Sequence, residues 1–90
     1  MNIEQTPAFK KVYKKLFKNQ LPEVNAAIRE IVRNPSLGQE KKGDLAGVLV
    51  HKFDVQNQEF LLAYHTDDTT VILLALGVHE NFYRDLKKNY

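Results

Sequence analysis

The sequence predicts an α+β domain in which an N-terminal helical hairpin packs on one face of a small, mostly antiparallel twisted sheet. Two observations support this fold class. Apolar residues recur at helical spacing through the first third of the chain, and from Val48 onward they follow the two-residue period of strands. Short polar turns separate the later strands, as in an antiparallel meander. The predicted element order is β-α-α-β-β-β-α, and residues 1–90 are expected to form a single domain.

The N-terminal elements are predicted from helix signals. Ile3–Gln5 suits a short first strand, and Thr6-Pro7 is typical of a helix start, with threonine as N-cap and proline in the first turn. A second helix opens at Pro22 and ends at Asn34-Pro35, because the residue before a proline is pushed out of the α region. Apolar residues at i, i+3 and i+4 give each helix one stripe: Phe9, Val12, Tyr13, Leu16 and Phe17 in the first, and Val24, Ala27, Ile28, Ile31 and Val32 in the second.

The C-terminal half is predicted to hold the sheet. Residues 35–47 combine proline, three glycines and charged residues and are expected to form a loop. Three strands follow, at 48–55 (VLVHKFDV), 60–65 (FLLAYH) and 70–76 (TVILLAL). The last is apolar on both faces and is therefore predicted to be central and covered. A terminal helix over HENFYRDLKKN is anchored by Phe82 and Leu86.

Composition narrows the class of protein. The chain is 43% apolar and 27% charged, as is usual for a soluble globular domain, and it has no cysteine for disulfides or thiolate metal sites. The longest apolar run, Val71–Leu76, is far too short to span a membrane, and the N-terminus lacks a signal-peptide core. We therefore expect a cytoplasmic protein with no membrane partner. Residues 1–42 carry nine Lys/Arg against four Asp/Glu, and residues 43–78 carry one against five.

Five lysines on the first helix form a candidate binding surface. They lie opposite the apolar stripe with no acidic residue among them: Lys10, Lys11, Lys14, Lys15 and Lys18. One interpretation is a solvated helix face, and the other is a surface that binds the phosphates of RNA. Their mutual repulsion costs helix stability, which favours a polyanionic partner.

The three histidines, His51, His65 and His79, are also candidates for chemistry. No pair has the i, i+4 spacing of helical zinc motifs, so we expect neither a metal nor a cofactor. His51 shares a strand face with its apolar neighbours, whereas Lys52 and Asp54 point the other way. The ends of strands and turns are a place where these three residues and His79 can meet.

The stretch GVHENFY places His79 and Tyr83 where a strand gives way to a helix. Gly77 permits an unusual backbone turn at the strand end. Helix spacing puts Tyr83 on the same face as His79, near free N–H groups that attract phosphate. In one interpretation, His79 donates a proton and the Tyr83 ring stacks on a base. In the other, His79 caps the helix and Tyr83 lies in the core.

The closing block LLALGVHENFYRDLKK and the element order resemble the RelE/ParE superfamily of bacterial type II toxins. The resemblance covers Phe9 to Lys88 and is strongest from Gly43 onward. The nearest pattern is that of the YafQ-like ribosome-dependent messenger-RNA endonucleases. In that branch the last strand ends in a glycine, followed by one residue, a catalytic histidine and an aromatic residue four further on.

This resemblance implies roles for particular residues. His79 would be the general acid, His51 with Asp54 would supply the base, and Tyr83 would stack on a base. Lys52, Lys41 and Lys42 would stabilise phosphate charge, with Lys41 and Lys42 standing where that branch has a loop histidine. The lysines of the first helix would hold ribosomal RNA.

The resemblance also implies partners and an alternative. The expected partners are a cognate antitoxin, the ribosome and messenger RNA, with operator DNA contacted through the antitoxin alone. ParE-like relatives share the fold, inhibit DNA gyrase and need no such histidines. A gyrase inhibitor, or a protein that solely binds a partner, therefore remains an alternative to the nuclease.

Overall fold

A five-stranded sheet forms the centre of the molecule. The computed structural model describes the backbone of residues 1–89 and the side chains of these residues except 79, 80, 81, 85 and 89. The helices are α1 (Pro7–Lys14), α2 (Leu21–Arg33) and α3 (His79–Asn89), with short 3-10 turns at Lys18–Gln20 and Gly43–Leu45. The strands are β1 (Asn2–Gln5), β2 (Gln39–Glu40), β3 (Leu49–Val55), β4 (Gln58–Thr66) and β5 (Thr70–Val78).

The strand order across the sheet is β1-β5-β4-β3-β2. β1 runs parallel to β5, and each of the other neighbouring pairs is antiparallel. The predicted α+β class and mostly antiparallel sheet are confirmed. The predicted loop over 35–47 was wrong in one respect, because Gln39 and Glu40 pair with β3 and extend the sheet by one short edge strand.

The sheet separates two apolar clusters, one on each face. Successive residues of β4 point in opposite directions, so Phe60, Leu62 and Tyr64 pack with the α1–α2 hairpin. Leu61 and Ala63 pack with α3 on the other face. We call these the hairpin face and the α3 face. The predicted position of the helical hairpin is thereby confirmed, and β5 is covered on both sides.

The start of α1 follows the sequence signal. Thr6 is the N-cap: its Oγ1 accepts a hydrogen bond from the Phe9 N–H at 3.1 Å and donates one to the Leu74 carbonyl at 2.8 Å. Pro7 follows in the first turn, where its missing N–H costs nothing. The cap therefore both begins the helix and ties it to β5.

The end of α1 differs from the prediction. The helix stops at Lys14, and Phe17, predicted to continue the apolar stripe, is 73% exposed. Beyond Lys14 the backbone turns away from the helix, and Phe17 takes an extended conformation as the N-cap of the 3-10 turn Lys18–Gln20. The placement of Phe17 in the core was therefore wrong, although Phe9 is buried as predicted.

Tyr64 holds the segment after α2 against the sheet. Its buried hydroxyl accepts a hydrogen bond from the Gly38 N–H and donates one to the Pro35 carbonyl, both at 2.8 Å. Burial raises the pKa of this phenol, and the Gly38 bond lowers it in part. A Cβ atom at position 38 would lie 2.8 Å from the Tyr64 hydroxyl oxygen, so this position favours glycine.

The end of β5 also differs from the prediction. The strand continues through Gly77, which pairs with Leu61, to Val78. Gly77 does not have the positive φ of an unusual turn, whereas Gly43 and Gly47 do, at 67° and 87°. In the described part of the chain, no helix is both long enough and apolar enough to cross a membrane.

Candidate functional site

The start of α3 is fixed by its apolar anchors. Phe82 and Leu86 are 4% and 3% exposed and pack on the α3 face with Leu45 and Val48, as the sequence predicted for the two anchors. α3 begins at His79, directly after β5. The structure places the backbone of His79 at the end of β5. Its side chain lies outside the described part of the structure, so its predicted role is untested.

Tyr83 and Lys41, two residues singled out in the sequence, are in contact. The Lys41 Nζ atom lies 5.1 Å from the centre of the Tyr83 ring, within the range of a cation–π interaction. The Lys41 N–H donates to the Val48 carbonyl at 2.8 Å, which holds this lysine beside β3. Tyr83 also packs edge-on against Phe82, with ring centres 5.3 Å apart. Half-buried Tyr83 thus joins the loop before β3 to the first turns of α3.

The sheet register brings Lys52 and Asp54 to the same end of the α3 face. Lys52 pairs with Leu61, which pairs in turn with Gly77, so these residues lie side by side across three strands. At a strand spacing of about 4.8 Å, the backbone of Lys52 lies about 10 Å from the end of β5. Asp54 pairs with Glu59 one step nearer the turn. Both Lys52 and Asp54 are exposed.

His51 points to the opposite side of the sheet. Its ring stacks on Phe53 with centres 5.6 Å apart, and its Nε2 atom lies 3.7 Å from the Glu30 carboxylate of α2. Among the described residues, no group lies within hydrogen-bond distance of this buried Nε2. Burial lowers the pKa of the imidazole, and the Glu30 charge raises it in part. The strand alternation that the sequence indicated is correct, but it separates His51 from Lys52 and Asp54.

The lysines of α1 lie apart from the α3 face. All five are exposed: Lys10, Lys11, Lys14, Lys15 and Lys18. Because α1 packs on the hairpin face, the sheet stands between these lysines and Tyr83. Lys10, Lys11 and Lys14 line an open groove together with Tyr13. The predicted basic face therefore exists as a second surface, distinct from the site around Lys41.

Two contacts near the site had no signal in the sequence. The Asp44 carboxylate lies 4.0 Å from Lys87 Nζ, and His65 Nδ1 lies 2.9 Å from the Gly47 carbonyl oxygen. This distance suits a hydrogen bond in which Nδ1–H donates to the carbonyl oxygen. Both contacts connect the loop before β3 to neighbouring elements. Residue type alone does not reveal such pairs, since their members lie far apart in the sequence.

Several small bacterial toxins with solved structures share this α+β fold. E. coli toxin RelE, in a mutant form in the free state, is similar with a TM-score of 0.74 at 14% identity, covering 98% of this chain and 90% of that one. The toxin–antitoxin complex RelBE2 from Mycobacterium tuberculosis is similar with a TM-score of 0.66 at 23% identity, and the match covers 87% of this chain and 96% of that one. The intact E. coli RelBE toxin–antitoxin complex is similar with a TM-score of 0.69 at 16% identity, and the match covers 88% of this chain and 96% of that one. At these identities the likeness shows the fold.

The sequence itself shows the family. Residues 3–87 match the ParE-like toxin of the type II bacterial toxin-antitoxin system. The chain belongs to this family, within the RelE/ParE superfamily that its sequence resembles. Comparison with curated proteins gives no match.

Proposed function

We propose that this toxin cleaves messenger RNA on the ribosome. The observation that carries the proposal is the contact between Lys41 and Tyr83 on the α3 face, the face to which β3 also directs Lys52. Tyr83 lies one helical turn after His79. A cation, an aromatic ring and a histidine at a helix start are the groups needed to hold a phosphate, stack a base and donate a proton. Support also comes from the RelE-like fold and the closing sequence block.

The proposed reaction is a transesterification within the RNA that uses no metal. A base takes the proton of a ribose 2′-OH, and the 2′-oxygen forms a bond to the adjacent phosphorus. The bond from phosphorus to the 5′-oxygen breaks, and His79 donates a proton to that leaving oxygen. The products are a 2′,3′-cyclic phosphate and a 5′-OH. Lys41, Lys42 and Lys52 would stabilise the extra negative charge of the pentacoordinate transition state.

The geometry changes the choice of base within this proposal. His51 as the base requires an imidazole on the α3 face, whereas β3 directs it toward Glu30. Asp54, which the sequence placed beside His51 in this role, lies on the same face as Lys52. We therefore give the proton-accepting role to Asp54. Asp54→Asn is expected to slow cleavage far more than His51→Gln, and the reverse ranking would return the role to His51.

The test is cleavage of messenger RNA on purified ribosomes, mapped by primer extension. We expect His79→Ala to lower the rate by about 10²–10⁴-fold, as for loss of a general acid. Tyr83→Ala and Lys41→Ala should each lower it by about 10-fold or more, and Lys41→Arg should restore much of the rate because it keeps a cation over the ring. His65→Ala serves as the matched histidine control. Circular dichroism checks that each variant is folded.

An unchanged rate for both His79→Ala and Tyr83→Ala would refute the nuclease. The alternative is inhibition of DNA gyrase, which is favoured by the match to the ParE-like family. It predicts that purified toxin blocks supercoiling by gyrase and that induction causes DNA damage without transcript loss. The His79→Ala variant would then arrest growth as strongly as wild type.

We further propose that a cognate antitoxin neutralises this toxin in the cytoplasm and makes the contacts to operator DNA. Two of the similar structures are toxin–antitoxin complexes, which supports such a partner. If the antitoxin covers the lysines of α1, the affinity of the complex should decrease as salt is added, because screening weakens exposed charge pairs. An affinity independent of salt would exclude that surface.

A further inference from the structure

Phe17 is an aromatic residue in an unexpected environment. It is 73% exposed, more than any other large apolar side chain that the structure describes, although its spacing predicted a place in the core. A single exposed apolar side chain is common on folded proteins, so the exposure of Phe17 gains meaning only from the groups around it.

The charge around Phe17 has one sign. Lys14, Lys15 and Lys18 flank it and are exposed, and the sequence contains no acidic residue between Glu4 and Glu23. Exposed lysines on both sides of an exposed ring combine phosphate attraction with a stacking surface.

The backbone that carries the ring is held in place. The Phe17 N–H donates to the Gln20 side-chain oxygen at 2.9 Å, and the Gln20 N–H donates back to the Phe17 carbonyl at 2.9 Å. The next turn is tied to the turn between β3 and β4, because Gln56 Nε2 donates to the Asn19 carbonyl at 3.2 Å and to Glu23 at 3.0 Å. The ring is therefore presented from a fixed turn, which lowers the entropy lost on binding.

We propose that Phe17, with Lys14, Lys15 and Lys18, forms a binding site for single-stranded RNA in which an unpaired base stacks on the ring. Single-stranded RNA fits better than a duplex, whose bases are already stacked and enclosed. It also fits better than an acidic peptide, because an apolar peptide contact calls for a pocket, whereas this ring stands out from the surface. The proposal rests on the RNA target proposed above and gives the α1 surface a means of engaging bases as well as phosphates.

The experiment measures binding by fluorescence anisotropy with a labelled single-stranded RNA of roughly 12 nucleotides. The RNA is 2′-O-methylated so that the toxin cannot cleave it. Phe17→Ala should weaken binding roughly 5- to 150-fold, the range for loss of one stacked base. Phe17→Trp should retain affinity, and Phe17→Leu should lose about as much as alanine. Leu37→Ala, a change at another exposed apolar residue, is the matched control and should bind as wild type.

Two further measurements separate stacking from charge. Lys15→Gln should reduce the salt dependence of binding, lowering the slope of log K against log salt by about 0.7, whereas Phe17→Ala should leave the slope unchanged. An RNA of the same length without bases should bind wild type and Phe17→Ala equally.

Several results would overturn the proposal. Equal RNA affinity for wild type and Phe17→Ala removes the site, and so does full affinity for Phe17→Leu, which would indicate an aliphatic contact to a protein. A wild-type dimer that Phe17→Ala converts to a monomer in sedimentation would assign the ring to a second copy of this chain. If the toxin cleaves messenger RNA normally but Phe17→Ala does not weaken RNA binding, this site is refuted and the α3 proposal stands. If Phe17→Ala weakens RNA binding but the toxin cleaves no messenger RNA, the nuclease is refuted and this site stands.

Discussion

Replacing Tyr64 with phenylalanine is expected to destabilise the toxin through two hydrogen bonds at once. The hydroxyl bonds both the Gly38 N–H and the Pro35 carbonyl at 2.8 Å, and the residue is fully buried. Phenylalanine keeps the ring but leaves both backbone groups without a partner. A buried polar group left in this way costs about 1–3 kcal/mol. Because both groups are partly buried and can regain some contact with water, we expect a total loss of about 2–3 kcal/mol.

The assay is urea unfolding followed by circular dichroism, with thermal unfolding as a second probe. For a domain of this size the expected loss corresponds to a decrease in Tm of roughly 10–20 °C. Tyr13→Phe is the matched control, because its hydroxyl makes one bond, to Asn25 at 2.7 Å. This variant should lose about 1 kcal/mol. If Tyr64→Phe costs no more than Tyr13→Phe, the hydroxyl does not hold this segment and the reasoning is refuted.

A double-mutant cycle sharpens the test. Gly38→Ala in the wild type places a methyl group 2.8 Å from the Tyr64 hydroxyl oxygen and should be destabilising. In the Tyr64→Phe background that oxygen is gone, so the same change should cost less. Additive costs would show that the two residues do not meet as the structure indicates.

Three further predictions concern the capping, titration and backbone of the fold. Thr6→Ala removes the hydrogen bond that caps α1 and the hydrogen bond to β5. It should lower the free energy of unfolding, measured in urea, by about 1–3 kcal/mol. Because the pKa of His51 is lowered by burial, the unfolded chain binds a proton at higher pH than the folded one. The free energy of unfolding should therefore fall as pH drops below about 6.5, and His51→Gln should flatten that part of the profile. Gly47→Ala should cost about 1–2 kcal/mol because of its positive φ, whereas Gly77→Ala should change the free energy of unfolding by less than about 0.5 kcal/mol. A large loss at position 77 would contradict its extended conformation.

Periodicity predicted the elements because each one buries a regular stripe. The anchors Phe82 and Leu86 were correct for this reason, and the N-cap at Thr6 was correct because the Thr-Pro pair is itself a local helix-start signal. The same reasoning failed at Phe17, because apolar spacing alone does not show that α1 ends at Lys14. A local pattern identifies an apolar residue at the right interval, but it does not show whether the backbone at that residue is helical.

The sequence predicted which residues are candidates for the site better than it predicted how they are arranged in the fold. Alternation along β3 correctly separated His51 from its neighbours, but which face would meet α3 depends on how the whole chain packs. The contact between Lys41 and Tyr83 joins residues that lie far apart in the sequence, so no local pattern contains it. The functional hypothesis therefore came from the closing sequence block, and the structure supplied the partner of Tyr83.

The pairing of β1 with β5 has a consequence for synthesis of the toxin. Asn2 pairs with Thr70, and the Thr6 cap bonds Leu74, so the first strand has no neighbour until almost the whole chain has been made. At about 5–20 residues per second, translation leaves a period of seconds in which the sheet cannot close. Contacts of such long range also slow folding itself. The sheet therefore closes only after β5 has been made, which leaves an interval in which an antitoxin can meet the chain before it is folded.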